Sequence, residues 1–110
     1  MSSVFIIAEL SANHNGSLET AKETIRAMKA SGADAVKLQT YTPDTITLNC
    51  DNDCFRIKQG TAWDGRGLYE LYAEAMTPWE WHKELFSLAR SLGMEVFSSP
   101  FDKSAVDFLE

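Results

Sequence analysis

The chain has 110 residues, 45% of them apolar and 11% aromatic, a composition that suits one globular domain and excludes a disordered or collagen-like chain. Its net charge of −6, from 16 acidic against 10 basic residues, comes without a basic stripe and gives a nucleic-acid or anionic-membrane partner little electrostatic support. No segment approaches the roughly 18–20 apolar residues of a membrane span, and the N-terminus lacks the basic-then-apolar pattern of a secretory signal, so the cytoplasm is the expected compartment.

In chain order, Val4 to Leu10 is a nearly continuous apolar run, the pattern of a parallel strand covered on both faces. Asn13 to Gly16 turns the chain. Ser17 then caps a helix with Leu18, Ala21, Ile25 and Met28 as its apolar face, closed by Gly32. Ala35 to Thr40 is a second strand whose alternation puts Lys37 and Gln39 on one face and Val36 and Leu38 on the other. A lysine on an inward strand face is awkward in a helix-covered open sheet but natural in a closed barrel, where such side chains line the ligand site.

Residues 41 to about 76 form a connection longer than ordinary βα loops, so a functional role is expected of it. Leu68, Leu71, Tyr72 and Ala75 recur at helical spacing within it. Cys50 and Cys54 lie in the same polar stretch without neighbouring histidines. They read as free thiols, with a disulfide left open where the loop meets an oxidant. Thr77-Pro78-Trp79-Glu80 has the form of a capping box with proline at the first helical position. The helix it starts is expected to run to Leu92 and stop at Gly93, with Trp81, Leu85, Leu88 and Leu92 buried and His82 on the surface. Met94 to Ser98 is the third strand, ended by Pro100. Asp102 caps a third helix with Ala105, Val106 and Leu109 as its apolar side. That helix reaches Glu110 after barely two turns with no stop signal, so the chain reads as cut off.

Strands alternating with helices imply an α/β fold of parallel βα units joined by right-handed crossovers. In a barrel the C-terminal strand ends build the active site, which brings Glu9, Lys37, Gln39 and Ser99 together. Lys37 suits a phosphate or carboxylate as a point charge, and the Ser99 hydroxyl suits the same anion. Glu9 and Gln39 suit sugar hydroxyl or acetamido groups, and Glu9 can also move a proton. The purely structural alternatives are a buried Glu9–Lys37 ion pair, a satisfied Gln39 amide and a turn hydroxyl at Ser99. Asn13 contributes to a ligand site or simply turns the chain, and His14, the only histidine nearby, reads as structural or supporting. Trp63-Asp64-Gly65-Arg66-Gly67 is either a turn or a lid offering an aromatic face and the Asp64 carboxylate to a sugar.

Taken in order, Ile7-Ala8-Glu9, Asn13-His14-Asn15-Gly16, Val36-Lys37-Leu38-Gln39-Thr40 and Phe97-Ser98-Ser99-Pro100-Phe101-Asp102 resemble the sialic acid synthase family over almost the whole chain. The resemblance implies a (β/α)8 TIM barrel of which residues 1–110 are the N-terminal three βα units, without the family's small antifreeze-like C-terminal domain. It implies condensation of phosphoenolpyruvate with an open-chain acetamido sugar, with phosphate released, in a homodimeric parent enzyme. A divalent metal, manganese or magnesium, is implied as cofactor, its histidine ligands downstream of this chain and none within it. By motif position Lys37 and Ser99 would bind phosphoenolpyruvate, Glu9 and Gln39 the sugar, with Glu9 the catalytic group and Asn13 and Asp64 further substrate contacts. The family often has threonine where Ser99 stands, which keeps the hydroxyl. Thr40-Tyr41-Thr42, Trp63-Asp64-Gly65 and Thr77-Pro78-Trp79 look most like members that take a bis-acetamido, deoxygenated sugar, with neuraminate- and legionaminate-forming members as alternatives. On this reading the isolated chain is inactive. Two other classes compete: an aldolase forming a Schiff base on Lys37, and a non-catalytic sugar- or partner-binding module.

Overall fold

The computed structural model describes residues 3–110 and lays three parallel strands side by side, β1 (Ile7–Glu9), β2 (Ala35–Thr40) and β3 (Glu95–Pro100), in that spatial order. Helix α1 (Leu18–Ala30) carries the chain from β1 to β2. The long connection holds α2 (Pro43–Ile46), a 3₁₀ turn at Asp53–Phe55 and α3 (Leu68–Ala75). A second 3₁₀ turn, Trp79–Trp81, leads into α4 (His82–Ser91), which returns the chain to β3, and α5 (Lys103–Leu109) follows. Both cysteines are free thiols, and no helix among the described residues is long and apolar enough to cross a membrane.

The β2 alternation is the organising pattern. Val36, Leu38 and Thr40 are fully buried, and Lys37 and Gln39, on the opposite face, are half-buried. Val36 and Leu38 join Leu10, Ala21, Ile25, Leu85, Ala89 and Met94 in a core closed by α1 and α4 on one side of the sheet. Each of the larger aliphatic side chains contributes about 1.5–3 kcal/mol by leaving water. The other side of the sheet carries no helix among the described residues, and there Ile7 and Phe97 are 50% and 40% exposed.

Several local signals act as read. The Ser17 hydroxyl accepts the Thr20 amide at 3.2 Å, and Gly32, at φ +99°, ends α1 while Ala33 donates to the Met28 carbonyl. The Asp102 carboxylate accepts the Ser104 and Ala105 amides at the start of α5. Ala105 is buried as expected, but Val106 on the same helix is 41% exposed.

Four expectations are corrected. Strand β1 has three residues rather than seven, because the segment before Ala35 is still turning and gives Val4 and Phe5 no ladder partner; they are 79% and 60% exposed. Strand β3 extends to Pro100 instead of stopping at Ser98. Phe101 donates to the Thr40 carbonyl, so the alternate Pro100 nitrogen faces the open edge, where a missing N–H costs no bond. Among the described residues Thr77 makes no capping bond: Pro78 leads into the 3₁₀ turn, and α4 begins four residues later than its capping pattern suggests. His82 is not a surface residue but is 4% exposed. Its Nε2 lies 2.8 Å from the Thr40 hydroxyl, which lies 2.6 Å from the Ser98 hydroxyl, and its ring meets Phe108 edge-on.

Burial holds the His82 imidazole below the ordinary histidine range, as it does His14, which is 1% exposed. A depressed folded-state value means that the stability from keeping each ring neutral is complete above the unfolded value of 6.5 and is lost as pH falls from there through the folded value. Urea denaturation should therefore give a lower midpoint at pH 5.5 than at pH 7.5, and a His82→Asn variant should show a shallower pH slope. Equal midpoints at the two pH values would contradict this account.

Candidate active site

Register brings the charged side chains together. Glu9 pairs with Lys37 across β1–β2, and Gln39 pairs with Ser99 across β2–β3. Alternation puts all four on the sheet face opposite the core, near the C-terminal strand ends. Gln39 Nε2 donates to Glu9 Oε1 at 2.7 Å, and Lys37 Nζ stands 3.4 Å from Glu9 Oε2. The Lys37 and Glu9 side chains keep 32% and 37% exposure, so the pair is wet rather than a buried ion pair. A pair this exposed contributes at most about 1 kcal/mol to stability. Ser99 is half-buried beside Gln39, and its hydroxyl makes no hydrogen bond among the described residues.

Beyond these strand ends lies a cavity of about 630 Å³ roofed by the long connection. Gln39 and Asn13 line it, as do Asn15, Glu74, Tyr41, Tyr72, Trp63 and Phe101. Asn13 Nδ2 also donates to the Leu10 carbonyl at 3.1 Å, which ties its loop to the end of β1. Asn15 and Gly16 take left-handed backbone angles, φ +49° and +67°, in the turn below. His14 points inward from that turn: its Nδ1 accepts the Gly16 amide at 3.0 Å, its ring meets Trp81 edge-on, and its buried Nε2 makes no well-formed hydrogen bond among the described residues. It is a packing histidine of the turn, not a cavity group.

Asp64 is placed differently from Trp63, its neighbour. Its carboxylate accepts the Gln59, Gly60 and Thr61 amides and the Thr61 hydroxyl. These bonds, the Thr61 amide foremost, hold its carboxyl below the usual carboxylate range. The carboxylate is thus spent on its own loop, while the Trp63 indole lines the cavity at 50% exposure.

The structure adds groups not singled out from the sequence. Tyr41 is 5% exposed, its phenol pushed up by burial, and its ring meets Tyr72 and Phe101 edge-on. Glu74 lines the cavity and pairs with Arg66 of the roof at 2.6 Å. The burial of His82 had a visible signal, since 82, 85 and 89 repeat at spacings of three and four with Leu85 and Ala89. Among the described residues no group of three or more His, Cys, Asp and Glu side chains lies close enough to hold a metal ion.

Parallel βα units with charged and amide side chains at the C-terminal strand ends, under a long βα loop, are the arrangement from which barrel enzymes build their active faces. A family model, the NeuB family, matches residues 24–110. The chain belongs to the NeuB family. It is 60% identical over 107 residues to the pseudaminic acid synthase of Campylobacter jejuni serotype O:2, covering 97% of this chain and 31% of that protein. It is 61% identical over 105 residues to the pseudaminic acid synthase of Helicobacter pylori, covering 96% and 31%. Identity to the N,N'-diacetyllegionaminic acid synthase of Legionella pneumophila is 43%, covering 96% and 29%. Among solved structures, the N-acetylneuraminic acid (sialic acid) synthetase of Leptospira borgpetersenii, in complex with citrate, superposes with a TM-score of 0.75 at 24% identity, over 98% of this chain and 33% of that one. The chain thus spans about a third of the length of these relatives, and its three parallel βα units share the fold of that part of a TIM-barrel enzyme.

If Glu9 is there for ligands and not for stability, Glu9→Ala should move the urea-unfolding free energy by less than about 1 kcal/mol, the value of an exposed pair. A loss several times larger would show the pair to be structural.

Proposed function

We propose that this chain supplies substrate-binding side chains to a pseudaminic acid synthase, which joins phosphoenolpyruvate to 2,4-diacetamido-2,4,6-trideoxy-altrose, forms a nine-carbon nonulosonic acid and releases phosphate. The observation that carries this reading is the convergence of Glu9, Lys37, Gln39 and Ser99 on one sheet face beside a cavity of sugar size. The fall from 60% identity with a pseudaminic acid synthase to 43% with a legionaminic acid synthase favours the first sugar over the second.

In this reaction the enol carbon of phosphoenolpyruvate attacks the sugar aldehyde. The new C–C bond forms, the aldehyde oxygen takes a proton, and positive charge develops at the carbon bearing the phosphate ester. Water adds there and loses a proton, and as the C–O bond to phosphate breaks the remaining hydroxyl gives its proton to the departing phosphate, which leaves the keto acid. Lys37 holds an anionic group of phosphoenolpyruvate as a point charge and Ser99 donates its free hydroxyl to the same group. In exchange Lys37 loosens its 3.4 Å contact with Glu9. Glu9, oriented by the Gln39 amide, faces the sugar and moves the proton at its aldehyde oxygen. The roof over the cavity limits bulk water during the charged step. The divalent metal expected from the resemblance has no fitting donor set among the described residues, so its ligands come from outside this chain in this proposal.

The test is phosphate release from phosphoenolpyruvate with manganese and the diacetamido sugar, using a protein that extends this segment to the relatives' full length. Release by the wild type is expected, with Lys37→Ala lowering kcat/KM by roughly 100-fold or more, the scale of losing a charge-stabilising donor. Release with N-acetylmannosamine alone would overturn the sugar assignment. Borohydride trapping of a keto substrate on Lys37 would overturn the reaction class in favour of an aldolase.

A further inference from the structure

We propose that Trp63 is the specificity-determining residue of the cavity. Its indole offers a stacking face to the apolar side of a deoxygenated, acetamido-bearing sugar, and Asp64 is the positioning residue that fixes it there. The proposal rests on the function above for the identity of the sugar, but not for the geometry.

Trp63 is half-exposed and lines a cavity that is partly open to solvent, whereas the chain's other tryptophans, Trp79 and Trp81, are half-buried against helices or the core. A large aromatic face left accessible inside a cavity is unspent apolar surface, which an apolar ligand face would cover. The remaining walls divide the ligand by chemistry. Asn13, Gln39 and Glu74 provide hydrogen-bonding groups, while Tyr72 adds a second aromatic surface. A sugar that replaces a hydroxyl by a methyl and carries acetamido methyls has both kinds of face.

The turn that holds Trp63 is built to be rigid. Asp64 gathers three consecutive loop amides and one hydroxyl. Arg56 donates to the Gly65 carbonyl at 2.9 Å, and the Trp63 amide donates to the Thr61 hydroxyl at 3.2 Å. Such a network reduces the conformational freedom that a loop-borne aromatic would otherwise lose on binding. It also accounts for the Asp64 carboxylate facing its own loop, since its role is exerted through the neighbouring ring.

The experiment measures two quantities in the relatives'-length protein: the ratio of kcat/KM for the 6-deoxy diacetamido sugar to that for N-acetylmannosamine, and the sugar-induced quenching of tryptophan fluorescence. Trp63→Ala should lower the ratio about tenfold, the scale of one apolar contact in a specificity pocket, with KM changing more than kcat. Trp63→Phe should restore most of the ratio while losing the quenching. Asp64→Ala should lower the ratio similarly, and the double variant should be no worse than Trp63→Ala. An unchanged ratio, additive losses, or quenching that persists in Trp63→Phe would overturn the proposal. So would a wild type that shows no quenching. Should Trp63→Ala fail to fold, Trp63→Phe and its quenching decide the matter. Sugar-dependent quenching that needs Trp63, without phosphate release, would overturn the function proposed above and leave this inference standing.

Discussion

Everything in this fold hangs on the period-two alternation of β2 under parallel pairing. A strand with ladders on both sides cannot rotate about its axis without breaking them, so the faces of Ala35–Thr40 are set once for the whole sheet. Val36, Leu38 and Thr40 go to the helices, and Lys37 and Gln39 go the other way. The register then imposes the same choice on the neighbours. Glu9 faces as Lys37 does and Ser99 as Gln39 does. A one-residue slip would drive the Lys37 ammonium into the dry core, a penalty of several kcal/mol that outweighs any single contact on the open face.

The two faces therefore work in different physical regimes. On the helix side the space is dry, and polar groups there must find partners or stay neutral. Thr40, Ser98 and His82 form a chain of short contacts, and burial depresses the basicity of the imidazole. This chain lies directly behind the strand ends that carry Gln39 and Ser99, and ties β2, β3 and α4 at that level. On the open side the Glu9–Lys37–Gln39 contacts are wet and individually weak, which leaves their lone pairs and protons free for exchange with a ligand. Strong hydrogen-bonding groups with weak mutual ties can be redirected to a ligand at little cost in stability.

Signals carried by one local interaction were the most legible. Ser17, Gly32, Gly93 and Asp102 each act within a turn of the residue itself, and Ala35–Thr40 has the length its pattern implies. The failures share a cause. The apolar run Val4–Leu10 gains a ladder only from Ile6 onward, because strand length belongs to the pair and not to the segment. Thr77-Pro78-Trp79-Glu80 has every element of a helix start, yet the Trp79 indole donates to the Tyr41 carbonyl and the segment tightens into a 3₁₀ turn instead. Of the site residues, Glu9, Lys37, Gln39 and Ser99 could be grouped from strand ends alone, since parallel strands put those ends together. The difference between Trp63 and Asp64 could not, because it depends on which way a loop folds over itself.

The amino-acid sequence by itself determined the βα order, the two-faced character of β2 and the set of charged and hydroxyl groups at the strand ends, since periodicity and helix caps are properties of neighbours in the chain. Membership of the NeuB family is likewise legible in the sequence, over residues 24–110. Only the tertiary structure decided that the His82 imidazole meets the Thr40 hydroxyl behind the sheet, that Pro100 can remain in a strand, that the Glu9–Lys37 pair is wet, and that Asp64 holds a turn while Trp63 faces the cavity. Each of these depends on solvent access and on partners distant in sequence, which no local pattern encodes.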